Sequence, residues 1–183
     1  MRIRAFITAT AACFALVGPI VTPAHASPIV SNQWYTFGFG ATGSALVNGT
    51  GFVIGVAGIA APDTPWTINL AGPLALVVTD GFQQGDEFQL FDFGVSIGST
   101  SANANDPAHS CSNNEAVCLA DPLMSHGIFL LAAGLHSLTG IITDSPFRGG
   151  AGFFRVVPEP GSLALFALAL AGLAYSGRMR RST

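Results

Sequence analysis

The chain has 183 residues, with 7 Lys+Arg against 10 Asp+Glu and a formal net charge of −3 at pH 7. It contains no lysine, and residues 27–156 hold only two arginines against nine acidic residues, a balance of −7. A region this acidic lacks the basic patch that nucleic-acid binding requires, so that class of function is excluded, whereas divalent cations would be tolerated.

The first 26 residues have the parts of a secretory signal peptide. Arg2 and Arg4 make a positive start, residues 5–17 are apolar, and small residues stand at Ala24 and Ala26. We predict export through the Sec translocon and cleavage by signal peptidase after Ala26. A retained N-terminal anchor is the alternative, and the short apolar region disfavours it.

Residues 27–156 have the length of one domain. They are rich in glycine and show short alternating segments without a sustained helical stripe, which is typical of strands joined by turns. We therefore predict an all-β fold, an antiparallel β-sandwich of jelly-roll type. The predicted strands are residues 33–39, 52–54, 66–70, 74–80, 87–91, 94–99, 127–132, 136–143 and 152–156.

Two local features of this region carry specific expectations. Residues 92–94 (Asp-Phe-Gly) predict a three-residue hairpin turn with a positive φ at Gly94. Asp86 and Glu87 are adjacent, so on a strand they would point to opposite faces, which argues against a pair of catalytic carboxylates.

Cys111 and Cys118 are the two cysteines that remain once the signal peptide is removed. In a protein sent to an oxidising compartment they predict a disulfide that pins a short local loop. The alternative is a metal site formed by these two cysteines with His109 and His126, although the paired Cys-x-x-Cys spacing typical of such sites is missing.

No contiguous catalytic motif is present in the sequence. It has no nucleophile elbow, metal-binding helix motif, P-loop or dinucleotide fingerprint. His126 follows Ser125 and His136 precedes Ser137, but sequence neighbours alone do not make a nucleophile and its base. We therefore predict a protein that is not an enzyme and has no catalytic residue, bound metal or cofactor.

The C-terminal segment begins with an extended handle and ends with positive charge. Pro158 and Pro160 flank Glu159 and disfavour helix before the apolar stretch. Residues 161–177 are uncharged and apolar on every side, and as a helix they would be about 25 Å long, enough for a thin bilayer. The positive-inside rule places the residues after this span on the cytoplasmic side: Arg178, Arg180 and Arg181.

These features together resemble the PEP-CTERM sorting signal of Gram-negative bacteria. A Val-Pro-Glu-Pro-Gly-Ser opening, a short Ala/Leu-rich stretch and an arginine-rich end follow one another over residues 157–183. The resemblance implies recognition by an exosortase, a membrane-embedded cysteine transpeptidase-like enzyme that processes the tail near residues 158–160. An ordinary single-span anchor is the alternative.

Two roles remain open for the exported region. The first is a non-catalytic protein of the cell surface or extracellular matrix, held in the inner membrane until processing and then associated with exopolysaccharide or biofilm matrix. The second is a carbohydrate-binding module with an aromatic platform formed by Trp34, Tyr35, Trp66 or Phe147. Calcium could assist such binding through Asp63, Asp80, Asp86 or Asp92.

Overall fold

The computed structural model describes residues 27–158, which form a predominantly β structure. The prediction of an all-β fold is confirmed. The elements of this part of the chain are β1 (Ser27–Pro28), β2 (Trp34–Phe39), β3 (Gly58–Ala60), β4 (Trp66–Leu70), β5 (Leu74–Asp80), β6 (Phe82–Gln83), β7 (Glu87–Asp92), β8 (Val95–Ser99), β9 (Ser110–Ser112), α1 (Glu115–Ala120), β10 (His126–Leu131), β11 (Gly134–Asp144) and β12 (Gly150–Pro158).

The strands form two five-stranded sheets and one small two-stranded sheet. The first sheet has the order β1-β4-β11-β7-β8, the second has the order β10-β5-β12-β2-β3, and β6 pairs with β9. Short connections carry the chain from one large sheet to the other: residues 71–73 join β4 to β5, and residues 132–133 join β10 to β11. At these two connections, consecutive strands therefore lie in different sheets instead of pairing as a hairpin.

The two large sheets share one apolar core. Trp66 of β4 stacks on Phe154 of β12 with ring centroids 4.2 Å apart, and Phe37 of β2 meets Phe88 of β7 edge-on at 5.2 Å. Each of these contacts joins a strand of one sheet to a strand of the other. Strand β4 has Trp66, Ile68 and Leu70 buried, as its alternation predicts, because successive side chains of a strand point to opposite faces.

A second apolar cluster lies on the other face of the second sheet. The chain around the cysteines covers that face and contributes Cys111, Cys118 and Met124. Beneath these residues lie side chains from three neighbouring strands of the sheet: Trp34, Val77 and Phe153. Both faces of β2 are therefore covered, and all six of its residues are buried.

Two sequence expectations about local structure are wrong. Residues 52–54 form no strand; the Phe52 ring lies over Gly38, where any Cβ would overlap it, and the edge strand is β3 instead. The turn between β7 and β8 has two residues, with φ of 47° at Phe93 and 77° at Gly94. Positive φ at both positions gives the turn a twist that suits the strands it joins.

Helix α1 and the end of β12 also differ from expectation. Helix α1 was not predicted, because six residues are too few to produce a helical stripe in the sequence. The sequence signal for its start is the N-cap residue Asn114, whose side chain accepts a hydrogen bond from the Val117 N–H. Strand β12 continues to Pro158, past the boundary that we predicted after Val156. Asp86 lies just before β7 and not on a strand.

The body has two distinct ends. At the first, which we call the exit end, Leu74 of β5 lies opposite Pro158 of β12, the last residue that the structure describes. The loops at the exit end are residues 30–33, 71–73, 93–94 and 132–133. At the opposite end, which we call the acidic end, lie Asp80, Asp86, Glu87 and Asp144.

Candidate functional site

Strand β12 leads directly into the C-terminal handle. It lies between β5 and β2 in the middle of the second sheet; its pairing with β2 ends at Phe154, and its pairing with β5 continues to Pro158. Val156 is fully buried opposite Leu76, and its carbonyl accepts from the Asn32 N–H at 2.7 Å. Pro158 is exposed at the strand end, where its missing N–H costs no ladder hydrogen bond.

Most of the residues that we assigned to sorting lie outside residues 27–158, and Pro158 alone is described. Within residues 27–158, no helix has the length and apolar character needed to cross a bilayer. The expectations that fall outside are the signal peptide 1–26 with Ala24 and Ala26, Glu159 and Pro160, the span 161–177, and Arg178, Arg180 and Arg181.

The cysteine segment contains the disulfide that its sequence predicts. The Cys111 and Cys118 sulfurs are bonded at 2.08 Å, joining β9 to α1. Cys118, in helix α1, is fully buried. Glu115 at the start of α1 is also buried, and its carboxylate accepts from the Ala57 N–H at 3.2 Å, which ties the helix to the loop before β3.

The alternative metal site is not assembled in the structure. Both sulfurs are used by the disulfide. His109 Nε2 bonds the Asp121 carboxylate at 2.7 Å, and His126 Nδ1 bonds the Met124 carbonyl at 2.9 Å. The imidazoles therefore bind partners of their own, and no cluster of three or more potential metal ligands occurs among residues 27–158.

Three of the four aromatic residues proposed as a sugar platform belong to apolar clusters. Trp66 and Tyr35 lie in the shared core, each stacked on Phe154. Trp34 lies in the second cluster, with the Arg155 guanidinium over its ring at 5.1 Å. Phe147 is exposed. The structure therefore contradicts a platform built from Trp34, Tyr35 or Trp66, because these rings pack against protein.

The four acids suggested as calcium ligands do not converge. Asp63 is exposed and bonds Asn48, while Asp92 accepts from the Ser137 N–H and bonds His136. Asp80 and Asp86, in contrast, lie close together at the acidic end, and both are buried. The sequence signal for this pair is the Asp-Gly and Gly-Asp steps that bracket the loop between them.

Asp80 organises the loop that follows β5. Its carboxylate accepts from the N–H groups of Gly81, Gly85 and Asp86 at 2.7, 3.3 and 3.2 Å. The pKa of Asp80 is nevertheless raised to about 8, because burial and then the charge of Asp86 raise it by more than the three N–H groups lower it.

Asp86 faces a small cavity. The cavity has a volume of about 100 Å³, and Phe82, Phe147 and Gly150 also line it. Burial raises the pKa of Asp86 to about 6; a hydrogen bond with Ser145 lowers the pKa, and the charge of Asp144 raises it. Within residues 27–158, Asp86 Oδ1 has no hydrogen-bond partner.

The serine and histidine neighbours have separate partners. Ser125 Oγ donates to Thr100 Oγ1 at 2.6 Å. His136 bonds the Asp92 carboxylate through Nδ1 at 2.7 Å and the Ala132 carbonyl through Nε2 at 2.9 Å. Both ring nitrogens of His136 therefore contact partners other than Ser137.

Comparison with known proteins bears on the C-terminal segment. Residues 156–181 match the family model of the PEP-CTERM protein-sorting motif. The search of curated proteins and the search of solved structures gave no significant match. The first three residues of the match are the last three of β12. Residues 156–181 are therefore a PEP-CTERM sorting motif, which marks the chain as an exported protein that an exosortase handles at the membrane.

Proposed function

We propose that this chain is a non-catalytic protein of the cell surface or extracellular matrix. Residues 161–177 hold it in the inner membrane until an exosortase processes the tail. The observation that carries this proposal is the junction at Pro158: a folded acidic body ends at an exposed proline, and the sorting motif begins in its last strand. The motif thus begins in the folded body at Val156 and continues past Pro158, the last residue that the structure describes.

The test compares the full-length chain in two strains that differ only in the presence of the exosortase. We expect a tailed protein in the membrane fraction without the enzyme, and a protein of lower mass at the surface or in the medium with it. Cell fractionation and intact-mass measurement give both results. Identical mass and identical location in the two strains would contradict the proposal.

We propose further that the body is a β-sandwich of jelly-roll type. The strand order supports this architecture, because the eight main strands fall into the sheets β2-β12-β5-β10 and β4-β11-β7-β8. The chain visits these sheets alternately, apart from the β7–β8 hairpin, as two interlocked Greek keys require. The rings of Trp66 and Phe154, stacked across the two sheets, support it as well.

Carbohydrate binding is the second candidate function, and one local arrangement favours it. Exposed Phe147 and partly buried Phe82 line the same cavity as Asp86, which brings aromatic surface and a carboxylate acceptor together. Carboxylates accept hydrogen bonds from sugar hydroxyls, and rings pack on sugar faces.

The test of this candidate is a glycan array and a pull-down with the producer's exopolysaccharide, using the secreted body with and without calcium. Binding that is lost in Phe147→Ala and kept in Val117→Ala would support the candidate, since Val117 is an exposed residue away from the cavity. No binding to any polysaccharide would remove it.

A further inference from the structure

The exit end is apolar and its loops are uncharged. Residues 30–33, 71–73, 93–94 and 132–133 contain no Asp, Glu, Lys, Arg or His. Five large apolar side chains at this end are half exposed or more: Val30, Phe93, Val95, Leu130 and Leu135. A groove of about 440 Å³, lined mainly by apolar residues that include Ile29, Leu70 and Leu74, opens beside them.

On the large sheets, most acidic residues lie at the other end, and the charged residues nearer the exit end contact a partner side chain. Asp80, Asp86, Glu87 and Asp144 are at the acidic end. The acid closest to the exit end along its strand is Asp92, and His136 pairs with it at 2.7 Å. Arg155 lies over the Trp34 ring. An anionic lipid surface would therefore repel the acidic end and meet little net charge at the exit end.

The length of the connection brings the exit end close to the membrane. This step rests on the proposed function, in which the span begins at Gly161. Pro158 is fixed in β12, and three peptide units separate it from Gly161, which is at most about 11 Å of extended chain. The headgroup region of one leaflet is about 5–8 Å thick. The loops around Pro158 thus lie within reach of the headgroups.

We propose that the exit end docks on the outer surface of the membrane that holds the tail, with Phe93, Val30 and Leu135 among its contacts. Phe93 suits this role because the two-residue turn between β7 and β8 places it at the tip of a hairpin, 61% exposed. Apolar side chains at a loop tip gain free energy by entering the interface between headgroups and acyl chains. Docking holds residues 158–160 at the membrane surface, where a membrane-embedded enzyme acts, and turns the acidic end to solvent.

The experiment measures the contact of each end with lipid in the full-length, unprocessed chain. The chain is reconstituted in vesicles of phosphatidylethanolamine and phosphatidylglycerol, with or without brominated acyl chains, which quench nearby tryptophan. Phe93→Trp places a reporter at the exit end, and Phe147→Trp places its matched control near the acidic end. Native Trp34 and Trp66 are buried and give the same background in both variants.

We expect severalfold stronger quenching of the new tryptophan in Phe93→Trp than in Phe147→Trp. Carbonate extraction of the same vesicles reports separately whether the tail is inserted. Equal quenching of the two variants in an inserted chain would overturn the docking proposal and leave the tail assignment intact. Extraction of the chain by carbonate would instead overturn the membrane-held tail, and the docking proposal with it.

A second pair of variants tests the consequence for processing. Val95→Glu adds a charge at the exit end, and Val53→Glu adds the same charge to an equally small exposed residue beside Gly150, near the acidic end. We expect exosortase processing to be several times slower in Val95→Glu and unchanged in Val53→Glu. Equal rates in the two variants would contradict a role of docking in processing.

Discussion

Leu74 and Pro158 lie opposite each other at the last register position that β5 and β12 share. This pairing makes the sorting motif overlap the folded body, because the motif begins at Val156 and the strand ends at Pro158. An enzyme that bound the chain from Val156 onward in extended form would have to remove the end of a central strand. Glu159 is the first residue of the motif beyond the described strand.

Replacing both prolines of the handle should block sorting without unfolding the body. We expect Pro158→Ala/Pro160→Ala to accumulate as a tailed membrane form, because the extended handle before the span is lost. The free energy of unfolding should change by no more than about 0.5 kcal/mol, since Pro158 is exposed. Pro107→Ala, in an exposed loop, is the control. Fractionation and intact mass check the result, and normal release of the double variant would contradict it.

Truncation should show where the body ends. A secreted chain that stops after Pro158 should be as stable as the processed protein. A chain that stops after Phe154 should lose about 2 kcal/mol or more, because buried Val156 and its pairing with Leu76 are removed. Urea unfolding followed by tryptophan fluorescence measures both chains. Equal midpoints would show that the last residues of β12 contribute nothing.

Loss of the disulfide should weaken the body without abolishing its fold. The Cys111–Cys118 bridge closes a short loop, which is worth about 2.5 kcal/mol in the chain-entropy model. We expect reductant to lower the free energy of unfolding of the native body by this amount. In Cys111→Ala/Cys118→Ala the reductant should have no effect. A native body equally stable with and without reductant would refute the estimate.

The buried acid pair should make the body less stable as pH rises. Burial raises the pKa of Asp80 to about 8 and that of Asp86 to about 6, whereas the unfolded chain has the ordinary value of 3.8. Between pH 4 and 8 the folded state therefore binds more protons than the unfolded state, and the free energy of unfolding falls with rising pH.

Asp86→Asn should reduce this pH dependence. The substitution removes the buried charge of Asp86, which also raises the pKa of Asp80. We therefore expect the free energy of unfolding to rise on the order of 1 kcal/mol at pH 7.5 and to fall less steeply with pH. Asp63→Asn, an exposed acid, should leave the slope unchanged. Denaturant unfolding at several pH values measures it, and an unaltered slope in Asp86→Asn would count against the buried pair.

Trp66 should matter for folding, and Phe147 should not. Trp66 is buried against Phe154 and Phe37, so Trp66→Ala should cost about 3–5 kcal/mol or prevent folding. Phe147 is 38% exposed, and Phe147→Ala should change the free energy of unfolding by about 1 kcal/mol or less. Thermal unfolding of the two secreted variants checks this contrast. A well-folded Trp66→Ala body would contradict the position of Trp66 in the core.

Single strands with one buried face could be predicted from the sequence, because apolar residues recur at every second position of such a strand. This is why β4 and its inward residues Trp66, Ile68 and Leu70 follow from the sequence. The same rule fails for β2, where both faces are covered, so Trp34 looked like a candidate for a surface platform. The outer face of β2 is covered by the cysteine segment, which lies more than 70 residues further along the chain.

The sequence by itself determined the all-β class and the sorting motif, because a two-residue repeat and a contiguous motif are local features that need no partner. Only the tertiary structure decided that Asp80 and Asp86 share one buried site and that Trp34, Tyr35 and Trp66 are buried in apolar clusters. It also decided that the uncharged loops gather at the end of the body where Pro158 lies. These relationships depend on strand register and on crossings between the sheets. Register brings together residues far apart in the chain, and no short stretch of sequence contains that information.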